Sequence, residues 1–354
     1  MLIHVGTLGG HSALEIALGA KKQGLKTVVV CQKGREKTYT KYYRNLFDEV
    51  IEVEKFRDLT SKSVIKQLRD LNTVMVQSRY FWVYCDHLAI EKKFPIPIFG
   101  SRGLVKREER DAKKNQYYLM EKARIKYPKT FKTPEQIDRL VLVKASEARR
   151  GYERAFFLAS SFEDYKNKSL QLIKEKTITK QGLKNAVIEE FVLGTSINFN
   201  FFYSPLKKRL ELLGTDTRRA TNISGFNTLP ADEQLEVLKQ IRPKYIEAGH
   251  LAITVKESIL EQAFELGERL VKVLQEEFPP GIIGPFALQT MYVSGPVREE
   301  LVTFDLSLRM PGSPGIKATP YSEYLFGRTV SMGERIAMEI RTAVEGNKLE
   351  LVVS

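Results

Sequence analysis

The first hundred residues alternate strand and helix, and this pattern constrains the fold more than any other feature. Residues 2–5 are a short apolar run, residues 12–22 carry Leu14, Ile16, Ala17 and Ala20 at helical spacing, and residues 27–31 are a β-branched run too short for a helix. Strand runs at 48–53 and 73–76, a helix over about 61–71 between them, and a closing strand at 95–99 continue the alternation. Strands joined by helical crossovers run parallel. The segment therefore predicts one open parallel α/β sheet.

The remainder reads as α+β. Residues 101–129 carry ten Lys or Arg against four acids and few apolar positions, which predicts a solvated helix on a domain boundary. A hairpin at 140–144 and 155–158, turning through Arg149-Arg150-Gly151, is followed by a helix at 161–174. Strands are expected at 187–191, 196–203, 209–214, 284–292 and 301–306, with an amphipathic helix at 257–278. A last helix, 332–344, has Ser331 as cap and Gly346 as stop.

At 354 residues the chain is long enough for two or three domains. Its 56 Lys and Arg against 43 Asp and Glu leave a net charge of +13, which favours anionic partners: nucleic acid, a membrane surface or phosphorylated small molecules. Two cysteines cannot build a disulfide framework or a four-ligand zinc site, and four scattered histidines do not suggest a metal cluster. The N-terminus has no basic leader with an apolar core, and residues 281–297 are too polar for a membrane span, so a cytoplasmic setting is expected.

Four constellations could carry chemistry. Gly6-Thr7-Leu8-Gly9-Gly10-His11-Ser12 joins a strand to a helix, where free N–H groups suit an anion, although the spacing is not that of a dinucleotide fingerprint. Read structurally, the same stretch is an ordinary tight turn. Lys144 ends a strand beside a polar turn and could reach phosphates, although a lone strand lysine usually faces solvent. Ile188-Glu189-Glu190-Phe191-Val192-Leu193-Gly194 ends an apolar strand with an acidic pair suited to a nucleotide's adenine and ribose. Gln289 and Asp305, on adjacent strands with Arg309 nearby, offer hard oxygen ligands for Mg²⁺, and strand acids between apolar neighbours are uncommon without a partner.

The order of these parts, lid lysine, hinge acid, then metal strands after an open sheet, resembles the ATP-grasp superfamily. More closely, the chain is similar to the archaeal formate-dependent FAICAR synthetases, which formylate 5-aminoimidazole-4-carboxamide (AICAR) ribotide in purine biosynthesis. The strings carrying this run nearly the whole length: Thr7 to Leu14, Phe99-Gly100-Ser101-Arg102, Ile188 to Gly194, Phe202 to Leu206, Glu211-Leu212-Leu213-Gly214, Thr221-Asn222, Pro230 to Glu236, Gly284-Pro285-Phe286 and Ser331 to Ala337. The resemblance implies a Rossmann-like pre-ATP-grasp domain at 1–100 and an ATP-grasp domain at 101–354, with a lid at about 128–190 and a metal-binding core at about 191–354. It implies that His11, Tyr80 and Asn222 face the ribotide, that Lys144, Glu190, Phe191 and Val192 hold ATP, and that Gln289 and Asp305 take Mg²⁺ or Mn²⁺. Arg218 and Arg309 would neutralise phosphate or formate, and formyl phosphate would be the intermediate. A homo-oligomer, or a mixed oligomer with a paralogue, is also implied.

Five departures cluster at ligand positions. Gln77-Ser78-Arg79-Tyr80-Phe81 replaces a Pro-His-Gly-Ser-Phe turn, and Glu147 to Arg154 replaces a glycine-rich lid loop. Tyr118 stands where a phosphate-binding lysine is expected, with Lys113, Lys114 or Lys122 as substitutes. Asp305 replaces a glutamate, and Met310 to Gly315 replaces a Gly-Gly-Thr-Asn loop. Two readings follow: an active ligase of this family, or a divergent paralogue with an altered acceptor or lost catalysis that serves as a binding or assembly subunit. Nucleic-acid binding through the basic stretch at 102–129 is a third, without a recognition motif to accompany it.

Overall fold

A computed structural model describes residues 3–10, 12–109, 112–145, 156–241, 247–295 and 299–354. The first sheet comprises β1 (His4–Leu8), β2 (Lys26–Gln32), β3 (Glu49–Val53), β4 (Thr73–Val76) and β5 (Ile98–Phe99) in the order β3-β2-β1-β4-β5, all parallel. Strand β1 runs past the expected end at residue 5: Gly6, which reads as a turn, lies mid-strand, where a Cβ would come within 2.5 Å of Met75 and Thr73. The strand order reverses between β1 and β4, so the crevice beyond their C-terminal ends is the natural ligand position of such a sheet.

The second sheet is antiparallel: β6 (Thr130–Phe131), β7 (Val141–Lys144), β8 (Phe156–Ala159) and β9 (Val187–Glu190), ordered β6-β9-β7-β8. Phe131, Val141, Val143, Phe157, Leu172 and Ile188 give it a small core of its own. The expected polar turn at 147–154 lies outside the described residues.

The third sheet has β10 (Thr195–Ser204), β11 (Arg209–Ala220), β12 (Glu247–Ala252), β13 (Gly284–Val293) and β14 (Glu300–Ser307), ordered β12-β11-β10-β13-β14 and antiparallel throughout. Period-two alternation along β10 sends Ile197, Phe199 and Phe201 onto helix Glu257–Glu277, against Ile259, Ala263, Leu266 and Leu270. Asn198 and Asn200 therefore face the other way, toward the first sheet's crevice.

The first and third sheets are locked together by helices Ala13–Lys22 and Met332–Glu345. They cross so closely that a Cβ at Gly19 would lie 2.3 Å from the Glu334 backbone nitrogen. Val5, Ile16, Phe99, Phe202, Met332 and Ile336 share one core there. Ser331 caps the last helix through the Glu334 N–H, as expected, but its stop is made by Asn347, left-handed at φ 52°, with the Lys348 N–H on Ala343 O at 2.7 Å.

Residues 101–129 are not one solvated helix. They form a turn at Val105–Glu108 and a short helix at Gln116–Lys122, and Leu104, Val105, Leu119, Met120, Ala123 and Ile125 are buried. The basic side chains serve as structural donors: Arg102 bonds Ile90 O at 3.0 Å and Phe94 O at 2.8 Å, and Arg107 lies 4.6 Å over the Phe278 ring. Among the described residues no helix is long and apolar enough to cross a membrane.

Candidate active site

The site is built where β1 and β4 end, facing the polar side of the third sheet. After β1, Gly9 and Gly10 lead to Ser12, held in the left-handed region at φ 72°, whose hydroxyl donates to Pro311 O at 2.7 Å. This ties the glycine-rich loop to the segment after Arg309. After β4, Ser78 caps helix Arg79–Tyr84 and aims Tyr80 back over the loop. A Cβ on Gly10 would lie 2.1 Å from the Tyr80 ring, which also packs on Phe56 and Tyr84. The glycine is therefore required by the tyrosine, and the phenol fills the space above the loop. His11 lies outside the described residues. Asn222 falls in helix Thr221–Phe226, with its side chain outside the description.

Gln289 and Asp305 are directly opposed on β13 and β14, as the sequence led one to expect, with Gln289 Nε2 donating to Asp305 Oδ2 at 3.0 Å and to Ser307 Oγ at 3.0 Å. The Gln289 carbonyl oxygen is buried without a partner among the described residues. An orphaned amide oxygen beside a carboxylate is a hard donor set, and it fits Mg²⁺ or Mn²⁺. Arg309 meets Glu108 Oε2 at 3.4 Å, and its Nε is buried with no partner among the described residues. Burial raises the Glu108 carboxyl, against the pull of Arg309, Arg79 and the Leu308 N–H at 2.7 Å.

Lys144 is buried and ion-paired with Glu189, which also accepts from the Tyr117 hydroxyl at 2.9 Å. The Lys144 ammonium stands 5.8 Å over the ring of Phe304, the neighbour of Asp305, which places Lys144 against β14. Glu190 points the other way, to Arg139 at 3.2 Å and the Lys129 N–H at 3.4 Å. Phe191 and Val192 follow it, half-buried, with the Phe191 N–H on Leu140 O at 2.9 Å. The Lys114 and Lys122 ammonium groups lie 5.8 and 5.9 Å from the Tyr118 ring and pair with Glu277 at 2.6 and 3.5 Å.

Sequence reasoning missed a second polar group on the same sheet face. Asp216 accepts from Asn198 at 2.9 Å, from Asn200 at 2.6 Å and from His250, which also contacts Glu247 at 2.9 Å and Ser313 at 2.9 Å. Burial opposes the charged forms of both partners. The His250, Asn198 and Asn200 hydrogen bonds nevertheless hold Asp216 below the usual carboxylate range, and those to Asp216 and Glu247 push His250 up to about 9. Arg218, opposite His250 in register, pairs with Glu247 at 3.2 Å. The alternation Asn198-Phe199-Asn200-Phe201 was the available signal, since amides on one strand face require partners.

Among solved structures, an N5-carboxyaminoimidazole synthetase from Staphylococcus aureus complexed with ADP matches 95% of this chain and 76% of its own, with a TM-score of 0.60 and 13% identity. The IMP biosynthesis protein PurP from Thermococcus kodakaraensis matches 99% of this chain and 100% of its own, with a TM-score of 0.74 and 27% identity. The fold is that of the ATP-grasp ligases. Two family models match, a protein of unknown function (DUF1246) over 5–131 and a domain of unknown function (DUF1297) over 164–354. Curated relatives named 5-formaminoimidazole-4-carboxamide-1-(beta)-D-ribofuranosyl 5'-monophosphate synthetase include those of Methanopyrus kandleri, 39% identical over 99% of this chain and 95% of the relative, and Methanocaldococcus jannaschii, 38% identical over the same shares. The chain belongs to this synthetase family.

Proposed function

We propose that the chain formylates the 5-amino group of AICAR ribotide with formate and ATP. A formate oxygen attacks the γ-phosphorus, ADP leaves, and the ribotide amine then attacks the carbonyl carbon of the resulting formyl phosphate, releasing phosphate and a proton. The acyl phosphate is already activated, so the protein's task is positioning and charge neutralisation. The observation that carries this reading is the opposed Gln289 and Asp305 pair with the buried Lys144 beside Phe304.

Lys144 would contact the ATP phosphates, and Glu190, Phe191 and Val192 would line the adenosine end. Gln289 and Asp305 would hold Mg²⁺ or Mn²⁺, which when bound supplies charge neutralisation on the phosphates. Arg309 would meet formate or phosphate through its Nε, while His11, Tyr80, Asn222 and Arg218 would border the ribotide. Residues 1–100 and 101–354 would be the pre-ATP-grasp and ATP-grasp domains of a cytoplasmic enzyme, assembled as a homo-oligomer or with a paralogue. Incubation with ATP, formate, Mg²⁺ and the ribotide is expected to yield ADP and the formylated ribotide in equal amounts. Absence of ADP formation would overturn the reading.

The phenol of Tyr80 over Gly10 favours one second reading, a paralogue with an altered acceptor. It predicts formate-dependent ADP formation that the ribotide does not stimulate.

A further inference from the structure

We propose that Asn198 supplies a further oxygen to the cation held by Gln289 and Asp305. Asn198 is opposed in register to Asp216 on β11 and to Gln289 on β13, and Gln289 in turn to Asp305 on β14. Opposed residues of antiparallel strands project to the same face with Cβ atoms about 4.5–5.5 Å apart. Asp216, Asn198, Gln289 and Asp305 thus form one row across four strands.

The two acids fix how the two amides between them lie. Asn198 Nδ2 donates outward to Asp216 at 2.9 Å, and Gln289 Nε2 donates outward to Asp305 at 3.0 Å. The carbonyl oxygens, Asn198 Oδ1 and Gln289 Oε1, are thereby left on adjacent inner positions. Each residue is only 4% exposed, and no donor among the described residues reaches either oxygen. Leaving one such acceptor unsatisfied costs about 1–3 kcal/mol, and two side by side require a shared positive group or donor. Of the neighbouring cations, His250 pairs with Asp216, Lys144 with Glu189 and the Arg309 Nη2 with Glu108.

Amide and carboxylate oxygens in one row are the donor set of a hard divalent cation. Asp305 is one methylene shorter than a glutamate, so a cation bound there would need further oxygens from the same row. Asn198 is the neighbouring amide in that row, and Asp216, itself fixed by Asn200 and His250, keeps it oriented. The inference rests on the metal-binding reading of Gln289 and Asp305, and a bridging water is the rival occupant.

The test is Mn²⁺ titration in the presence of a non-hydrolysable ATP analogue, with free Mn²⁺ read by electron paramagnetic resonance. Asn198→Ala is expected to weaken Mn²⁺ binding by about tenfold or more, with unchanged affinity for the analogue without metal, and Gln289→Ala to abolish the site. If Asn198→Ala binds Mn²⁺ like the wild type while Gln289→Ala does not, the Asn198 assignment falls and the metal pair stands. If the wild type binds no Mn²⁺, both fall. To remove any dependence on the variant's folding, wild-type protein labelled with ¹³C at asparagine side-chain carbonyls is expected to show a ¹³C hyperfine coupling to bound Mn²⁺ by electron–nuclear double resonance. Its absence overturns the proposal.

Discussion

Lys144 and Glu189 are 4% and 3% exposed, and a buried pair of this kind can serve the lid's structure, nucleotide binding, or both. Replacing Lys144 by Met keeps the aliphatic stem but strands a carboxylate whose other partner is the Tyr117 hydroxyl. Breaking a buried pair on one side costs about 3–5 kcal/mol. Because the Tyr117 bond is retained, the lower end, about 3 kcal/mol, is expected. In Lys144→Met with Glu189→Gln no stranded charge remains, so the cost falls to about 1 kcal/mol, a recovery of about 2 kcal/mol over Lys144→Met alone. The lid sheet has its own small core, so the loss is local: about 3 kcal/mol corresponds to roughly hundredfold faster amide exchange in β7 and β9. Hydrogen exchange with mass spectrometry measures this, and calorimetry with Mg·ATP measures the nucleotide. The double variant is expected to regain protection without regaining ATP affinity. Unchanged exchange in Lys144→Met would refute the pair's structural role, and restored ATP binding in the double variant would reduce Lys144 to a counter-ion for Glu189.

Three further outcomes follow from the packing and the charges. Gly10→Ala is expected to lower the melting temperature in the wild type, where its methyl meets the Tyr80 ring at 2.1 Å, but much less in Tyr80→Ser; equal costs in both backgrounds would contradict the packing. His250 rises from 6.5 to about 9 on folding, so its bond to Asp216 contributes fully below about 6.5 and is lost as pH rises through 9. Wild-type stability should therefore fall between pH 7 and 9.5 more steeply than that of His250→Gln, and parallel melting curves would assign the slope to other groups. Gly19→Ala, which in an open helix gains about 1 kcal/mol, should instead cost about 2 kcal/mol because the Glu334 backbone is 2.3 Å from the new methyl; a stabilised variant in chemical denaturation would contradict this.

Local pattern disclosed what depends on local pattern. The apolar run at 73–76 is β4 residue for residue, and the stripe from Ile259 to Leu274 is the long helix under the third sheet. Strand β12 and the second half of β11 were not legible, because Glu247–Ala252 has no alternation and is held by pairing to Asp216–Ala220, not by its own propensity. The basic stretch misled because its cations bond backbone carbonyls and stack on an aromatic ring instead of facing water, as at Arg102 and Arg107. Parity along β9 separates Glu189 from Glu190: adjacent strand residues face opposite sides, so one acid meets Lys144 and the other Arg139. The polar row of the third sheet depends on register between strands that are far apart in the chain, which no window of sequence contains.

The third sheet and the crevice also change the meaning of the positive charge. Read along the chain, Arg79, Arg218 and Arg309 are a surplus waiting for an anion. Folded, Arg79 and Arg309 converge on Glu108, and Arg218 is paired with Glu247. An incoming phosphate or formate must therefore share these guanidinium groups with carboxylates already in place, and Arg309 alone of the three has a buried Nε with no ion pair of its own. Two of the altered segments meet at the same place: Ser12 joins the glycine-rich loop to Pro311, Ser313 of that second segment joins it to His250, and Tyr80 covers Gly10. Tyr80 and the 310–315 segment thus both border the glycine-rich loop. Their shared contacts with it are the physical reason to expect that they were remodelled as a unit, and that reverting Tyr80 alone will not restore the family's usual pocket.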